Sequence, residues 1–118
     1  MTIEDIARVC HAANKAYCET LGDLSQKDWE NADLDTKSSK VTGVNFALIN
    51  PDATPESQHQ AWYKHKEAGG WMYGPFKDTE KREHPCMLPY DMLPKQQRIK
   101  DALFQAVVKS LAPSLPYL

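Results

Sequence analysis

The chain has 118 residues, of which 42% are hydrophobic and 25% are charged, and its formal net charge is −2. This length suits a single domain with one hydrophobic core. The near-neutral charge, with a pI of about 6.0, gives no electrostatic reason to expect a nucleic-acid partner. No apolar run approaches the roughly 20 residues that span a bilayer, so no membrane association is expected.

The three cysteines, Cys10, Cys18 and Cys86, argue against a disulfide framework, because their number is odd and no secretory signal accompanies them. Residues 1–5 are acidic and lack the apolar segment of a signal peptide. We therefore expect a reduced, cytoplasmic protein.

The first predicted helix covers residues 2–21. Thr2, followed three residues later by Asp5, resembles a capping box with aspartate in place of glutamate. Gly22 is a suitable residue to end the helix. After it, Trp29 is expected to anchor a short helical turn onto the core.

Two further helices are predicted before the middle of the chain. The second covers about residues 35–49, although Gly43 lowers its helix propensity. Its apolar face consists of Val41, Val44, Ala47 and Leu48. The third begins at Thr54-Pro55-Glu56, which combines an N-cap, a proline at the first helical position and an acidic first turn. Gly69-Gly70 ends it.

Residues 71–90 are predicted to form a long, ordered loop, with a very short strand at Cys86-Met87-Leu88. A loop of this length inside a compact domain is often functional. Pro94 then opens the last helix, which ends near Leu111. Its predicted buried face is Ile99, Ala102, Leu103, Ala106, Val107 and either Ser110 or Leu111. Residues 113–118 are expected to be loose or packed at an edge, so the fold is mainly α, with about four helices and at most short strands.

The segment from His59 to Leu88 has a distinctive composition, with flat aromatic rings, cations and glycines close together. Aromatic rings can stack on a base, cations can neutralise phosphates, and glycines allow a ligand to approach the backbone. The candidate ligand-binding residues are Trp62, Trp71, Tyr73, Lys77, Asp78, Lys81, Arg82 and His84.

Part of this segment resembles the ryanodine receptor (RyR) repeat. The resemblance is carried by Gly70-Trp71-Met72-Tyr73-Gly74-Pro75, then Lys77-Asp78, Lys81-Arg82 and His84-Pro85-Cys86-Met87, with Trp62 nine residues before Trp71. It covers about residues 55–111 of a single domain, which leaves residues 1–50 as a helical extension. The first half, with Cys10-His11 and Asn14 before Tyr17-Cys18, is similar to single-repeat proteins of bacteria and their viruses.

The resemblance implies a mainly helical fold and a binding role. In the receptor, one pair of repeats has a cleft that takes an adenine nucleotide; its stacking tryptophan matches Trp62, and its basic and imidazole groups match Lys77 and His84. Lys77 stands where the family often has arginine, which makes bidentate phosphate contact less secure. Because a paired cleft needs two repeats, we expect a homodimer, unless the N-terminal helices take the place of the second repeat within one chain.

Each candidate residue also has a purely structural interpretation. Trp62, Trp71 and Tyr73 could be core residues that keep the loop ordered. The cations at positions 77, 81 and 82 alternate with acidic residues and could form a solvated, self-neutralising face. His84 could fix the loop by hydrogen bonding to backbone, and Asn14 and Tyr17 could pack the first helix against its neighbours rather than share a polar pocket.

Catalysis has weak support, since the sequence contains no nucleophile motif and no phosphate-binding loop. No cysteine–histidine spacing matches a zinc site. We therefore expect no catalytic residues, no metal and no cofactor. The leading hypothesis is a module that binds a nucleotide or nucleotide-derived signal as a sensor or a sponge. The alternatives are a protein-interaction or scaffold module without a small ligand and, with the least support, a nucleotide-processing enzyme.

Overall fold

The computed structural model describes residues 1–116, and within them four α-helices form the body of the protein. They are α1 (Ile3–Thr20), α2 (Leu34–Ile49), α3 (Pro55–Ala68) and α4 (Lys95–Leu111). Short 3-10 helices lie at Trp29–Asn31, Tyr90–Met92 and Ala112–Ser114. The predicted mainly α fold is confirmed, and so is the short helical turn at Trp29.

Side chains at the helix ends explain where the helices begin and stop. The Thr2 hydroxyl accepts from the Asp5 amide at 3.1 Å, and the Asp5 carboxylate accepts from the Thr2 amide at 2.8 Å, which completes the predicted capping box. The Asp33 and Thr54 side chains cap α2 and α3 by accepting from the backbone amides of Thr36 and Ser57. Gly22 ends α1 with a φ of +85°, a conformation that glycine adopts without strain.

The core lies where α1, α2 and α4 meet, while α3 packs against α2 and α4. Its buried residues are Ile6, Ala7, Cys10, Trp29, Val44, Val108 and Leu115. The three cysteines are free thiols. Val44 and its partly buried neighbours Val41, Ala47 and Leu48 confirm the predicted apolar face of α2.

Gly43, which weakens α2 as an isolated helix, allows α2 and α4 to approach closely. A Cβ atom at this position would lie 2.9 Å from Cζ of Phe104 and 3.5 Å from the amide nitrogen of Gln58. No larger residue fits without moving one of these neighbours. The glycine therefore serves the packing of the helices at the expense of local propensity.

Two buried glutamines hold α3 in place. Gln58 donates to the Gly43 carbonyl at 3.1 Å. Gln105 donates to the carbonyls of Ala53 and Thr54 at 3.0 and 3.1 Å, and its amide also contacts the Gln58 side chain. Because these hydrogen bonds offset the cost of removing the amide groups from water, the network can join α2, α3 and α4 in the interior.

The loop of residues 69–94 is organised around two short parallel strands, β1 (Met72–Tyr73) and β2 (Glu83–His84), in which Met72 pairs with Glu83. The expected strand at Cys86-Met87-Leu88 is wrong. The Cys86 amide donates to Nδ1 of His84, and the Leu88 amide donates to the Cys86 carbonyl at 2.8 Å, so the chain turns there instead of extending.

The glycine-rich start of the loop has a steric explanation. Gly70 has a φ of +87° directly after α3, and this turns the chain so that Trp71 enters the interior, where it is 4% exposed. A Cβ atom at Gly74 would lie 2.5 Å from the Cβ atom of Glu83. The two strands can therefore pair only because residue 74 has no side chain.

The buried face of α4 differs from the predicted one. Ile99 is 39% exposed, Ala102 and Ala106 are also exposed, and the fully buried positions are Gln105 and Val108. The hydrogen bonds of Gln105 make a polar residue suitable for the interior, which an apolar pattern cannot reveal.

The end of the described chain packs onto the core. Leu115 is 2% exposed, and the Met1 amino group lies 3.5 Å from the Ser114 carbonyl oxygen. The expectation of a loose or edge-packed tail is therefore wrong at Leu115, which belongs to the core, while residues 117–118 lie outside the described part. None of the helices described between residues 1 and 116 combines the length and apolarity needed to cross a membrane.

Replacing Gly74 with alanine tests the steric constraint on the strands. We expect Gly74→Ala to lower the free energy of unfolding by about 1–3 kcal/mol, because the new methyl group overlaps Glu83. Thr79→Ala, at an exposed turn in the same loop, should change it by less than about 0.5 kcal/mol. Equal denaturation midpoints for the two variants would contradict this account.

Candidate functional site

A cavity of about 170 Å³ lies between α2, α3 and α4, and residues of α1 and the loop complete its wall. Its lining includes three of the predicted residues, Trp62, Lys77 and His84. Aromatic rings, lysines and hydroxyl groups share the wall, whereas most of the apolar core lies elsewhere. A concave site with a few convergent polar groups is the usual form of a small-molecule pocket.

The aromatic part of the wall is built on α3. Trp62 is partly buried and stacks on His59, with ring centroids 5.5 Å apart and an interplanar angle of 28°. His84 meets Trp62 edge-on at 5.0 Å. His59 is itself held by the Leu88 carbonyl, 2.7 Å from its Nε2 atom, so the Trp62 ring is positioned by a neighbour that is anchored to the loop.

His84 is a neutral imidazole with one role in the loop and one in the cavity. Its Nδ1 atom accepts from the Cys86 amide at 2.9 Å, which is the backbone hydrogen bond expected in the structural interpretation. Burial, assisted by the positive charge of Lys77, lowers its pKa to about 3. The neutral ring therefore carries its proton on Nε2, and this N–H is a donor at neutral pH.

Four lysines line the cavity: Lys40, Lys66, Lys77 and Lys100. Lys66 is buried and donates to Asp35 at 2.6 Å, so its charge is already compensated. Although Lys77 is exposed as a whole residue, desolvation at the cavity lowers the pKa of its ammonium group. Positive charge therefore exceeds negative charge along the wall.

Lys40 is the most unusual of these lysines. Its ammonium group lies 5.9 Å from the centre of the Phe104 ring and has neither an ion pair nor a hydrogen bond within residues 1–116. Burial lowers its pKa to about 8. A lysine that is held in a cavity without a counter-ion destabilises the empty protein and is typical of a functional site.

Asp101 is the carboxyl group of the cavity wall. Burial raises its pKa to about 7, even though Lys100 and Lys40 act in the opposite direction. Its Oδ2 atom lies 3.9 Å from Nδ1 of His59. Below neutral pH the carboxyl group is therefore mostly protonated and adds little negative charge to the cavity.

The wall that α2 contributes was not predicted from the sequence. Thr36, Ser39, Lys40 and Gly43 line the cavity at positions i, i+3, i+4 and i+7, which share one helix face. Ser39 is 9% exposed, and its hydroxyl group has no hydrogen-bond partner in the described chain. The available signal was a polar stripe on a helix face that packing should bury.

The other five predicted residues lie outside the cavity lining of the described chain. Trp71 is buried beneath Lys66, whose ammonium group lies 4.6 Å from the ring centre, so the core interpretation holds for it. Tyr73 is 53% exposed, which excludes the core interpretation. Lys81 is exposed and makes no side-chain ion pair within residues 1–116.

Asp78 and Arg82 fix the conformation of the loop through hydrogen bonds. The backbones of Asp78 and Glu83 exchange two hydrogen bonds, at 2.9 and 3.0 Å, and the Asp78 carboxylate accepts from the Lys81 amide. Arg82 has a φ of +54° and donates to the Gly69 carbonyl at 3.1 Å. These residues hold the loop in the shape that places His84 at the cavity.

The N-terminal helix contributes Cys10 and Asn14 to the cavity wall. Tyr17, by contrast, donates to the Gln96 carbonyl at 3.0 Å and so joins α1 to α4, as the helix-packing interpretation expects. Cys86 also lines the cavity and contacts the Gln97 side chain. In residues 1–116, no three His, Cys, Asp or Glu side chains form a group that could hold a metal ion.

Replacing Lys40 with methionine tests whether the charge of this residue destabilises the folded protein. We expect Lys40→Met to raise the free energy of unfolding at pH 7 by about 1–3 kcal/mol. Lys40 binds its proton less tightly in the folded protein than in the unfolded chain. The destabilisation of the wild-type protein by this charge should therefore be lost as the pH rises from about 8 towards 10.5. The advantage of the variant should disappear over the same range.

Chemical denaturation at pH 7 and pH 9.5 measures this effect. Lys81→Met removes an exposed lysine and is the matched control, with no change expected at either pH. A Lys40→Met protein that is less stable than wild type at pH 7 would show that the ammonium group has a compensating partner.

Comparison with known families agrees with this architecture. The model of the RyR domain matches residues 32–113, which include α2, α3, the loop and α4. Most of the cavity lining lies within the match, and Cys10, Asn14 and Gln26 lie outside it. No solved structure matches the chain. Since the matched segment is well over half of the 118 residues, the chain belongs to the RyR domain family.

Proposed function

We propose that this protein is a non-catalytic module that binds a nucleotide or a nucleotide-derived signal in the cavity between α2, α3 and α4. The observation that carries the proposal is the combination, in one cavity, of the Trp62 ring with an excess of lysine side chains. A flat ring and a neighbouring set of cations match the two chemical parts of a nucleotide, its base and its phosphates.

Trp62 supports the aromatic half of this proposal. It lines the cavity and is only partly buried, while His59 and His84 restrain its orientation. A ring that is already held in place loses little conformational entropy when a base stacks on it. The neutral Nε2–H group of His84 would supply a directional donor beside the stacked base.

The lysines support the phosphate half. Lys66 is neutralised by Asp35, but Lys40, Lys77 and Lys100 have no such partner within the described residues. An anion that enters the cavity would relieve their mutual repulsion, and binding should weaken as salt concentration rises.

The chemistry of the cavity cysteines favours binding over turnover. Burial raises the pKa of the Cys10 thiol to about 12 and also raises that of Cys86. Both groups therefore stay protonated at neutral pH, whereas the thiolate is the reactive form. A bound ligand is accordingly expected to be recovered intact after hours of incubation, as a sensor or a sponge requires.

The cavity bears on the expected homodimer. The first helix, α1, contributes Cys10 and Asn14 to its lining. This arrangement favours the alternative in which the N-terminal helix takes the place of a second repeat. The homodimer stays a prediction, and light scattering of the purified protein tests it directly.

A protein-interaction module is the second candidate, and one surface favours it. Met72, Tyr73 and Phe76 are 60%, 53% and 81% exposed, and all lie near β1 on the loop. Tyrosine and phenylalanine are enriched at protein interfaces. If this surface is the functional one, the cavity would have only a packing role.

Paired variants separate the two functions. Against adenosine 5′-monophosphate, ADP-ribose, NAD and cyclic nucleotides, a bound ligand at about 100 times its Kd should stabilise the protein by about 2.7 kcal/mol, which a thermal-shift assay detects. Trp62→Ala should weaken binding by about 1–3 kcal/mol because stacking is lost.

Phe76→Ala is the matched control, because it removes an aromatic ring outside the cavity and should leave affinity unchanged. Unchanged affinity in Trp62→Ala would refute the stacking role. If no compound shifts the melting temperature, and Phe76→Ala abolishes a stoichiometric protein complex, the interaction module is supported instead.

A further inference from the structure

The α2 wall of the cavity contains two adjacent donors that take part in no side-chain hydrogen bond or ion pair within residues 1–116. The Ser39 side chain is 9% exposed, and its hydroxyl oxygen is buried without a hydrogen-bond partner in residues 1–116. Lys40, the next residue, has no ion pair there. Buried polar groups nearly always have partners, so the unpartnered Ser39 hydroxyl, next to a partly buried lysine without a counter-ion, indicates that a partner comes from outside the protein.

The titratable groups around Lys40 indicate which charge a bound partner must carry. From α1 it is faced by Cys10 and Cys18, which are thiols, and from α4 by Lys100 and Asp101. The loop adds Lys77. His59 on α3 contacts Asp101, and Lys66 is neutralised by Asp35.

The groups that face Lys40 therefore carry a net positive charge, because Lys77 and Lys100 outnumber Asp101 even when this carboxyl group ionises above about pH 7. Only an anion can compensate these charges. An ammonium group and a hydroxyl group supply hydrogen-bond donors at adjacent positions of one wall, which suits the oxygens of a phosphate or a carboxylate.

We propose that Ser39 and Lys40 form the anion-binding subsite of this cavity, where they hold the terminal phosphate of the ligand while its ring contacts Trp62. The contact between the base and Trp62 rests on the proposed function, whereas anion binding by Ser39 and Lys40 is argued independently of it. It assigns the phosphate to α2 rather than to the loop cations Lys81 and Arg82, which lie outside the cavity lining of the described chain.

Proton uptake is a specific signature of this subsite. In the empty cavity the pKa of Lys40 is about 8, so about half of the molecules carry a neutral amine at pH 8. A phosphate at the ammonium group favours the charged form and raises that pKa. Binding at pH 8 should therefore take up about half a proton per ligand.

Isothermal titration calorimetry at pH 8, in two buffers with different ionisation enthalpies, measures the uptake together with the affinity. The probes are adenosine 5′-monophosphate, adenosine and inorganic pyrophosphate. In Lys40→Met we expect the uptake to vanish and the affinity for the monophosphate to fall about tenfold or more, while adenosine is unaffected. Ser39→Ala should weaken monophosphate binding but retain the uptake.

Two controls make the result specific. Lys40→Arg keeps the charge but stays protonated at pH 8, so it should bind the monophosphate better than Lys40→Met and take up no proton. Lys81→Met should behave as wild type. Since Lys40→Met is expected to be more stable than wild type, loss of binding in this variant would not reflect unfolding, and its melting temperature checks this.

The outcomes separate the two proposals. If the monophosphate binds wild type and Lys40→Met with equal affinity and equal uptake, the subsite is refuted and the nucleotide function stands. If adenosine and the monophosphate fail to bind while pyrophosphate binds with an uptake that Lys40→Met abolishes, the subsite stands and the nucleotide function falls. No binding by any probe would overturn both.

Discussion

The ion pair between Lys66 and Asp35 is the contact on which the rest of the site depends. It joins the end of α3 to the start of α2, and the Lys66 ammonium group also covers the ring of Trp71, where the loop begins. Arg82, near the end of the same loop segment, lies 4.0 Å from Asp35 and 5.9 Å from the Trp71 ring centre. The Asp35 carboxylate thus helps to hold both ends of the loop segment 71–82. This segment leads directly to His84 and so positions it at the cavity. Loss of Asp35 would leave the buried Lys66 ammonium group uncompensated, which is far more destabilising than loss of a surface pair.

Most of the fold could be predicted from local chemistry, because capping and termination depend on a few neighbouring residues. Thr54 and Gly22 mark their helix ends as expected. The errors arose where contacts distant in sequence decide the outcome. Gln105 is buried because the carbonyls of Ala53 and Thr54 accept from it. Residues 86–88 turn because His84 accepts from a backbone amide, although their apolar composition favours a strand.

The site was predictable only in part, for a related reason. Aromatic and cationic residues near one another in the sequence identified part of the cavity wall. However, two residues of the same type differ in their position: Trp71 is covered by Lys66, while Trp62 lines the cavity. No rule of composition separates them, since the difference lies in which helix packs over each ring. Ser39 and Lys40 were missed because a serine and a lysine on a helix usually face solvent. Their significance follows only from what surrounds them.

The proximity of Met1 to Ser114 has a consequence for how the domain can be combined with other proteins. Because Met1 and Ser114 lie side by side, the part of the domain between them can be inserted into a surface loop of a host protein without forcing that loop apart. The same proximity suits circular permutation, in which a linker leads from the segment after Ser114 back to Met1 and new ends open at the exposed turn near Thr79. In such a permutant the α4 part of the cavity wall would precede the parts from α1, α2 and α3 in the sequence.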